Sequence, residues 1–408
     1  QAGKPQGNFS ANMHVNTVAK TWDVLNGDEF FRMVVTEIGT ESALAQLGDA
    51  NTDWQKEVLK TTISHDYSLS VGGTAGILPY RVSASYTNSN GILLTSRMDR
   101  TTVGVNLTPK FFDGKLAVSA NVKGTYIKNR QADTGAVGTA LSYNPTLPVY
   151  TDYAMATEGK TIFNGYTTLT DSQGKPMDNS PNNPVAMLKE INNTAEVLRS
   201  SGNLQIDYAL HFLPELHLNF NLGYDVSKNN TESVMNQNSP QSWRGNYKDG
   251  AGTLYDHYEL QRNTMLNFYA NYRKEFDAIK SNLDAMVGYE WQQMDYQGNS
   301  LTTFNTLGYV SDWASIYQGG KYSLTEDPAT EAHLGHSYND APRNYWRGRL
   351  NLISFFGRIN YSFDDTYLLT FTLRDDGTSR FSKENRWGLF PALALGWKII
   401  NMPFMENA

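Results

Sequence analysis

The feature that most constrains this chain is a strict two-residue alternation sustained over unusually long stretches. From Leu116 one set of positions reads Leu116, Val118, Ala120, Val122, Gly124 and Tyr126, while Ser119, Asn121, Lys123 and Thr125 stand between them. The pattern returns as Leu216, Leu218, Phe220, Leu222, Tyr224 and Val226, and again as Leu283, Ala285, Val287, Tyr289 and Trp291. A period of two puts successive side chains on opposite faces of a strand, so each stretch is a β-strand with one apolar and one polar face. Further copies begin at Leu204, Leu266, Phe355, Tyr367 and Leu393, and weaker ones at Phe9, Tyr67, Tyr80 and Val103. The whole makes about twelve strands, many of about ten residues or more.

Length and charge say what those faces meet. Strands of soluble domains run about five or six residues, whereas a tilted strand needs about 9–11 to cross a bilayer. An Arg or Lys facing lipid at mid-depth costs about 2–4 kcal/mol. The apolar faces Leu116–Tyr126, Leu216–Val226 and Leu283–Trp291 carry no charge, while Lys123, Asp225, Asp284 and Glu290 lie on the opposite faces. The apolar sides therefore suit lipid and the polar sides a wet lumen. Connections alternate in length. Those near 112–115, 213–215, 277–280 and 364–365 are short, and those near 130–202, 228–263 and 294–350 are long. Barrels of the outer membrane sort their loops this way, with short periplasmic turns and long extracellular loops. The expected fold is all-β: a transmembrane antiparallel β-barrel segment of about twelve strands.

Residues 1–17 read as the first strand, 18–60 as a helix followed by a loop, and 61–408 as the further strands and long loops. Within 18–60, Val24, Leu25, Phe30, Met33 and Val34 sit near helical spacing, with Asn26 placed as a cap and Asp28 and Glu29 in the first turn. Mean hydropathy is -0.49, and no apolar run is long enough for a membrane-spanning helix. The absence of cysteine leaves neither disulfides nor a thiolate metal site. A net charge of -7 argues against nucleic acid as partner. The first residue is Gln1, which reads as a processed or partial product.

No catalytic constellation is visible and no cofactor is expected. His333 and His336 lack a third ligand, and Asp375-Asp376-Gly377 lacks the spaced partners of a calcium loop and reads as a turn that ends a strand. The long loops carry aromatics beside amides, which suit the C–H faces and hydroxyl rims of sugars and would also hold peptides. Tyr150, Tyr153, Asn236, Trp243, Trp313 and Tyr317 are the candidates to touch a substrate or a partner.

The stretch Arg374-Asp375-Asp376-Gly377-Thr378-Ser379-Arg380-Phe381, followed by Asn385-Arg386-Trp387-Gly388-Leu389-Phe390-Pro391, resembles the SusC/RagA family of TonB-dependent transporters of Bacteroidetes. Thr52-Asp53-Trp54-Gln55, Tyr143-Asn144-Pro145-Thr146-Leu147-Pro148 and Asn183-Pro184-Val185-Ala186 match as well, in the family's order. The resemblance implies a barrel of roughly 22 strands with a plugged lumen. It also implies a SusD-like surface lipoprotein as lid, energy from the TonB complex, outer-membrane lipid around the wall, and an oligosaccharide or peptide substrate. By that resemblance the plug would precede residue 1 and further strands would follow residue 408. An open sheet in hydrocarbon leaves backbone groups unpaired at several kcal/mol each, so Phe9–Val15 and Leu389–Trp397 are expected to pair with that remaining barrel polypeptide. Active import at the outer membrane is the leading expectation. A passive porin-like barrel and a soluble sugar-binding β protein are the competing ones, and an enzyme is not expected.

Overall fold

The computed structural model describes residues 4–151, 162–171, 174–177, 179–244, 250, 252–305, 317–318, 321–322 and 344–405. Fifteen strands form among these residues. They are β1 (Gln6–Asn16), β2 (Thr62–Ala75), β3 (Leu78–Asn90), β4 (Arg97–Leu107), β5 (Lys110–Phe111), β6 (Leu116–Gln131), β7 (Ile191–Leu210), β8 (Leu213–Met235), β9 (Gly252–Phe276), β10 (Ser281–Asn305), β11 (Tyr317–Gln318), β12 (Lys321–Tyr322), β13 (Asn344–Phe363), β14 (Tyr367–Thr378) and β15 (Trp387–Trp397). One 13-stranded sheet follows chain order from β1 to β15, with β5 a stub on β6 and β11–β12 a separate hairpin. Apart from that stub, each strand pairs antiparallel with its sequence neighbour, which makes a meander of twelve main strands.

Because directly paired residues share a face, register proves that the faces are continuous. One row runs Phe220, Phe268, Tyr289, Phe355 across β8, β9, β10 and β13. Another runs Val82, Val105, Val122 across β3, β4 and β6. The opposite face carries Asn221, Asn267, Glu290 and Ser354 in one row. Among the described residues β1 bonds only β2 and β15 only β14, so the sheet has two edges.

The short turns sort to one end as expected, and the long connections to the other, where 91–96 and 379–386 are nevertheless short. Turns fall at 76–77, 108–115, 211–212, 277–280 and 364–366 on one end of the sheet. Asp364 and Asp365 take φ of 51° and 47°, a left-handed conformation that Asp tolerates. The turn expected at 213–215 is instead His211-Phe212, because Pro214 needs no N–H partner at the opening of a strand and sits inside β8. Asp375-Asp376-Gly377 does not end a strand as a turn. It lies within β14, where Asp376 pairs with Ser354 and Asp375 with Phe355. The long connections are shorter than expected, at 132–190, 236–251 and 306–343, because β7 to β13 extend far past their apolar stretches.

Helices belong to the long connections: α1 (Gly27–Met33), α2 (Glu41–Leu44), α3 (Trp54–Val58), α4 (Gly135–Ser142) and α5 (Pro184–Lys189). Asn26 caps α1 as expected, its Oδ1 accepting from Glu29 N while Glu29 accepts from Asn26 N, a full capping box. No helix among the described residues is long and apolar enough to cross a membrane.

Candidate functional site at the long-loop end

The buried core of this chain lies in its loops, not in its sheet. Trp54, Val58, Ala136, Ala140, Tyr143, Leu147, Tyr166, Val185, Ala186 and Leu188 form one cluster joining α3, α4 and α5. The Trp54 ring meets Tyr143 edge-on at 4.6 Å, and its Nε1 donates to Asn144 O at 3.0 Å. Thr146 O accepts from Ala50 N at 2.9 Å, and Thr52 Oγ1 donates to Leu147 O at 2.7 Å. Asn183 is fully buried, caps α5 through Val185 N and Ala186 N, and donates to Val149 O and Thr167 O. The loop motifs that carry the resemblance are thus the residues that knit two long connections into one cap.

Three of the six candidates come together on that cap. Tyr150 is half exposed, lies 5.0 Å from the Tyr166 ring, and its hydroxyl accepts from Lys189 Nζ at 2.8 Å. Asn236 donates through Nδ2 to Glu190 Oε2 at 3.1 Å, and Asn164 donates to the same carboxylate oxygen at 2.7 Å. Trp243 meets Phe163 edge-on at 6.0 Å and packs against Gly250, where a Cβ would lie 2.6 Å from the indole. The Trp243 Nε1 is buried without a hydrogen-bond partner. Tyr153 and Trp313 lie outside the described residues. Tyr317 pairs through its backbone with Tyr322 in the small hairpin. Glu190, Asn164 and Tyr166 were not singled out from sequence. A lone Glu or Asn in a long loop carries no periodic signal, and only the meeting of residues 164, 190 and 236 makes them a cluster. Burial, followed by the nearby Glu190 charge, pushes the Tyr166 phenol well above its ordinary range.

A second feature of the cap is a cleft of about 510 Å³ lined by Trp22, Phe30, Met33, Asn51, Trp54 and Leu141 among others. Two of its amides are occupied internally. Gln55 bonds the Trp22 backbone in both directions at 2.8 Å, and Asn51 Oδ1 accepts from Gly27 N at 2.8 Å.

Below the cap, the polar face of the sheet is a wall of amides and ion pairs. Asn106 bonds Asn121, Asn121 donates to Asn203 at 3.0 Å, and Asn203 donates to Asn221 at 3.5 Å. Arg199 Nε contacts both oxygens of Asp225 at 2.9 and 3.1 Å, and Arg273 pairs with Asp284 at 2.7 Å. Arg374 reaches Asp376 at 2.6 Å and Ser354 at 2.8 Å. Such a face holds water and polar cargo but not acyl chains.

No protein-family profile matches the chain. Among curated proteins it is 37% identical to the TonB-dependent receptor SusC of Bacteroides thetaiotaomicron, over 99% of this chain and 38% of that protein. It is 26% identical to TonB-dependent receptor P3 of Formosa agariphila, over 100% of this chain and 37% of that protein. Among solved structures it matches the RagAB peptide transporter with a TM-score of 0.68 at 18% identity, covering 100% of this chain and 46% of the other. The closed-closed state of the RagAB peptide importer matches with a TM-score of 0.66 at 19% identity, covering 99% and 45%. The chain spans less than half the length of these relatives.

Sheet, sorted loops and homology together define a wall segment of the TonB-dependent receptor class, placed in the outer membrane. Within that class the chain is a SusC homologue, matched along essentially its whole length. These relatives are receptors and transporters, not enzymes by name.

Proposed function

We propose that the chain supplies the wall, lumen face and extracellular cap of a transporter that imports a nutrient oligomer without chemically changing it. Oligosaccharide is the first choice of cargo and peptide the second. A SusD-like lipoprotein closes the cap, and TonB supplies the energy. The single observation that carries this reading is the cap patch of Tyr150 and Trp243, backed by the buried Tyr166 and beside the amides of Asn164 and Asn236, above a polar wall. Aromatic faces take sugar C–H faces, and amides take hydroxyls. The 37% identity to SusC favours active import over a passive porin. The peptide reading rests on the fold likeness to the RagAB peptide transporter. Outer-membrane placement displaces the soluble sugar-binding alternative.

The test is uptake of labelled oligosaccharides and labelled peptides by cells carrying the full-length gene as wild type, Tyr150→Ala or Trp243→Ala. Loss of a central aromatic contact is expected to cut uptake of one cargo class by about tenfold or more. Unchanged uptake of both classes and unchanged lipoprotein capture in both variants would remove the patch from the mechanism.

A further inference from the structure

Above the apolar band, the outward face changes to a cationic belt. The last apolar row reads Leu222, Leu266, Trp291, Ile353, and the next reads Tyr224, Thr264, Gln293, Asn351. Two rows of cations follow on the same face. The first is Val226, Arg262, Asp295, Arg349, and the second is Lys228, Leu260, Gln297, Arg347. No register shift interrupts β8 to β13, so these side chains share the lipid-facing side. All four cations are exposed. Arg349 pairs with Asp295 at 2.6 Å, and Lys228 lies over the Tyr258 ring at 5.6 Å. On β8 and β9 the outward acids Glu232 and Asp256 come two rows higher, farther from the bilayer; on β7 Glu196 lies one row above Lys228 and pairs with Lys128, and on β14 Asp375 shares the Phe355 row. Each row adds two residues, or about 5 Å of height at the usual strand rise and tilt. The cations therefore stand about 10–15 Å above the last apolar row, and their long side chains reach back toward it. With that reach of about 5 Å the charged ends come to about 5–10 Å above the last apolar row, the level of lipid head groups.

We propose that Lys228, Arg262 and Arg347, with Arg349 held by Asp295, form a binding site for the phosphate groups of an outer-leaflet lipid head group. The apolar band takes the acyl chains, and the belt takes the phosphates. The site lies on the wall, outside the transport path, and rests on outer-membrane placement rather than on the cargo.

The test uses the full-length protein, purified in detergent and titrated with vesicles of phosphorylated lipid A, vesicles of dephosphorylated lipid A, and free inorganic phosphate. The variants are the triple substitution Lys228→Gln, Arg262→Gln, Arg347→Gln and the charge-keeping triple Lys228→Arg, Arg262→Lys, Arg347→Lys. Phosphorylated lipid A is expected to bind the glutamine triple about a hundredfold more weakly and the charge-keeping triple nearly as wild type. Binding is expected to weaken as salt rises. Dephosphorylated lipid should not distinguish the proteins, and millimolar inorganic phosphate should not displace the lipid. Equal binding of both lipids, displacement by free phosphate, or loss of a co-purified protein in the glutamine triple with lipid binding unchanged would each overturn the proposal.

Discussion

Asn183 has no exposed surface, and its carboxamide serves four backbone groups at once. Truncation removes a helix cap and one of the two donors at each carbonyl, since Thr167 O keeps the Tyr143 hydroxyl and Val149 O keeps Thr167 N, a combined cost of about 1–2 kcal/mol. Asn183→Ala is therefore expected to loosen the cap, read as faster proteolysis within 132–190 while the sheet stays protected. Tyr166 gives a pH signature at the same scale. Its phenol is raised above the ordinary tyrosine range by burial and then by the Glu190 charge. A raised folded pKa means stability is intact below the unfolded value and falls as pH rises past it. Ultraviolet titration is expected to show a late-ionising tyrosine that Tyr166→Phe removes, with the cap weakening only in strong alkali. Of the six candidates, Tyr150, Asn236 and Trp243 lie together on the cap, and as loop aromatics and amides they stand out in the sequence. Glu190 and Asn164 were not, because a buried contact between distant loops leaves no mark in the local sequence.

Single strands show where alternation reports structure and where it stops. In β10 the apolar face runs Leu283, Ala285, Val287, Tyr289, Trp291 and then turns to Gln293, Asp295, Gln297. Backbone pairing nevertheless continues to Asn305. Alternation needs two unlike environments, and above the bilayer both faces meet water or head groups. The sequence pattern thus marks the membrane crossing, and strands read from alternation alone end short of their paired length for that reason. Val287→Arg on the lipid-facing side is expected to cost about 2–4 kcal/mol in bilayer folding titrations. Gln205→Arg, on the opposite face and exposed, is expected to change little. Equal costs would reverse the assignment of faces.

At the scale of the whole molecule, the sheet has two unpaired edges among the described residues, β1 and β15. Each backbone group unpaired in hydrocarbon costs several kcal/mol, more in sum than the usual net stability of about 5–15 kcal/mol. The 408-residue chain expressed alone is expected to aggregate or stay unfolded on detergent refolding, and to form a heat-resistant barrel only when polypeptide that pairs with β1 and β15 is supplied. A monomeric, protease-resistant product from this chain alone would contradict that. By itself the sequence determined the strand count, the face of each crossing and the sorting of turns, since all three follow from a local period set by lipid on one side. Tertiary structure alone decided the extramembrane reach of the strands, the loop core around Trp54 and Asn183, the Glu190 cluster and the outward belt of cations. Those arise from register and from contacts between residues far apart in the chain, where no local periodicity carries the information.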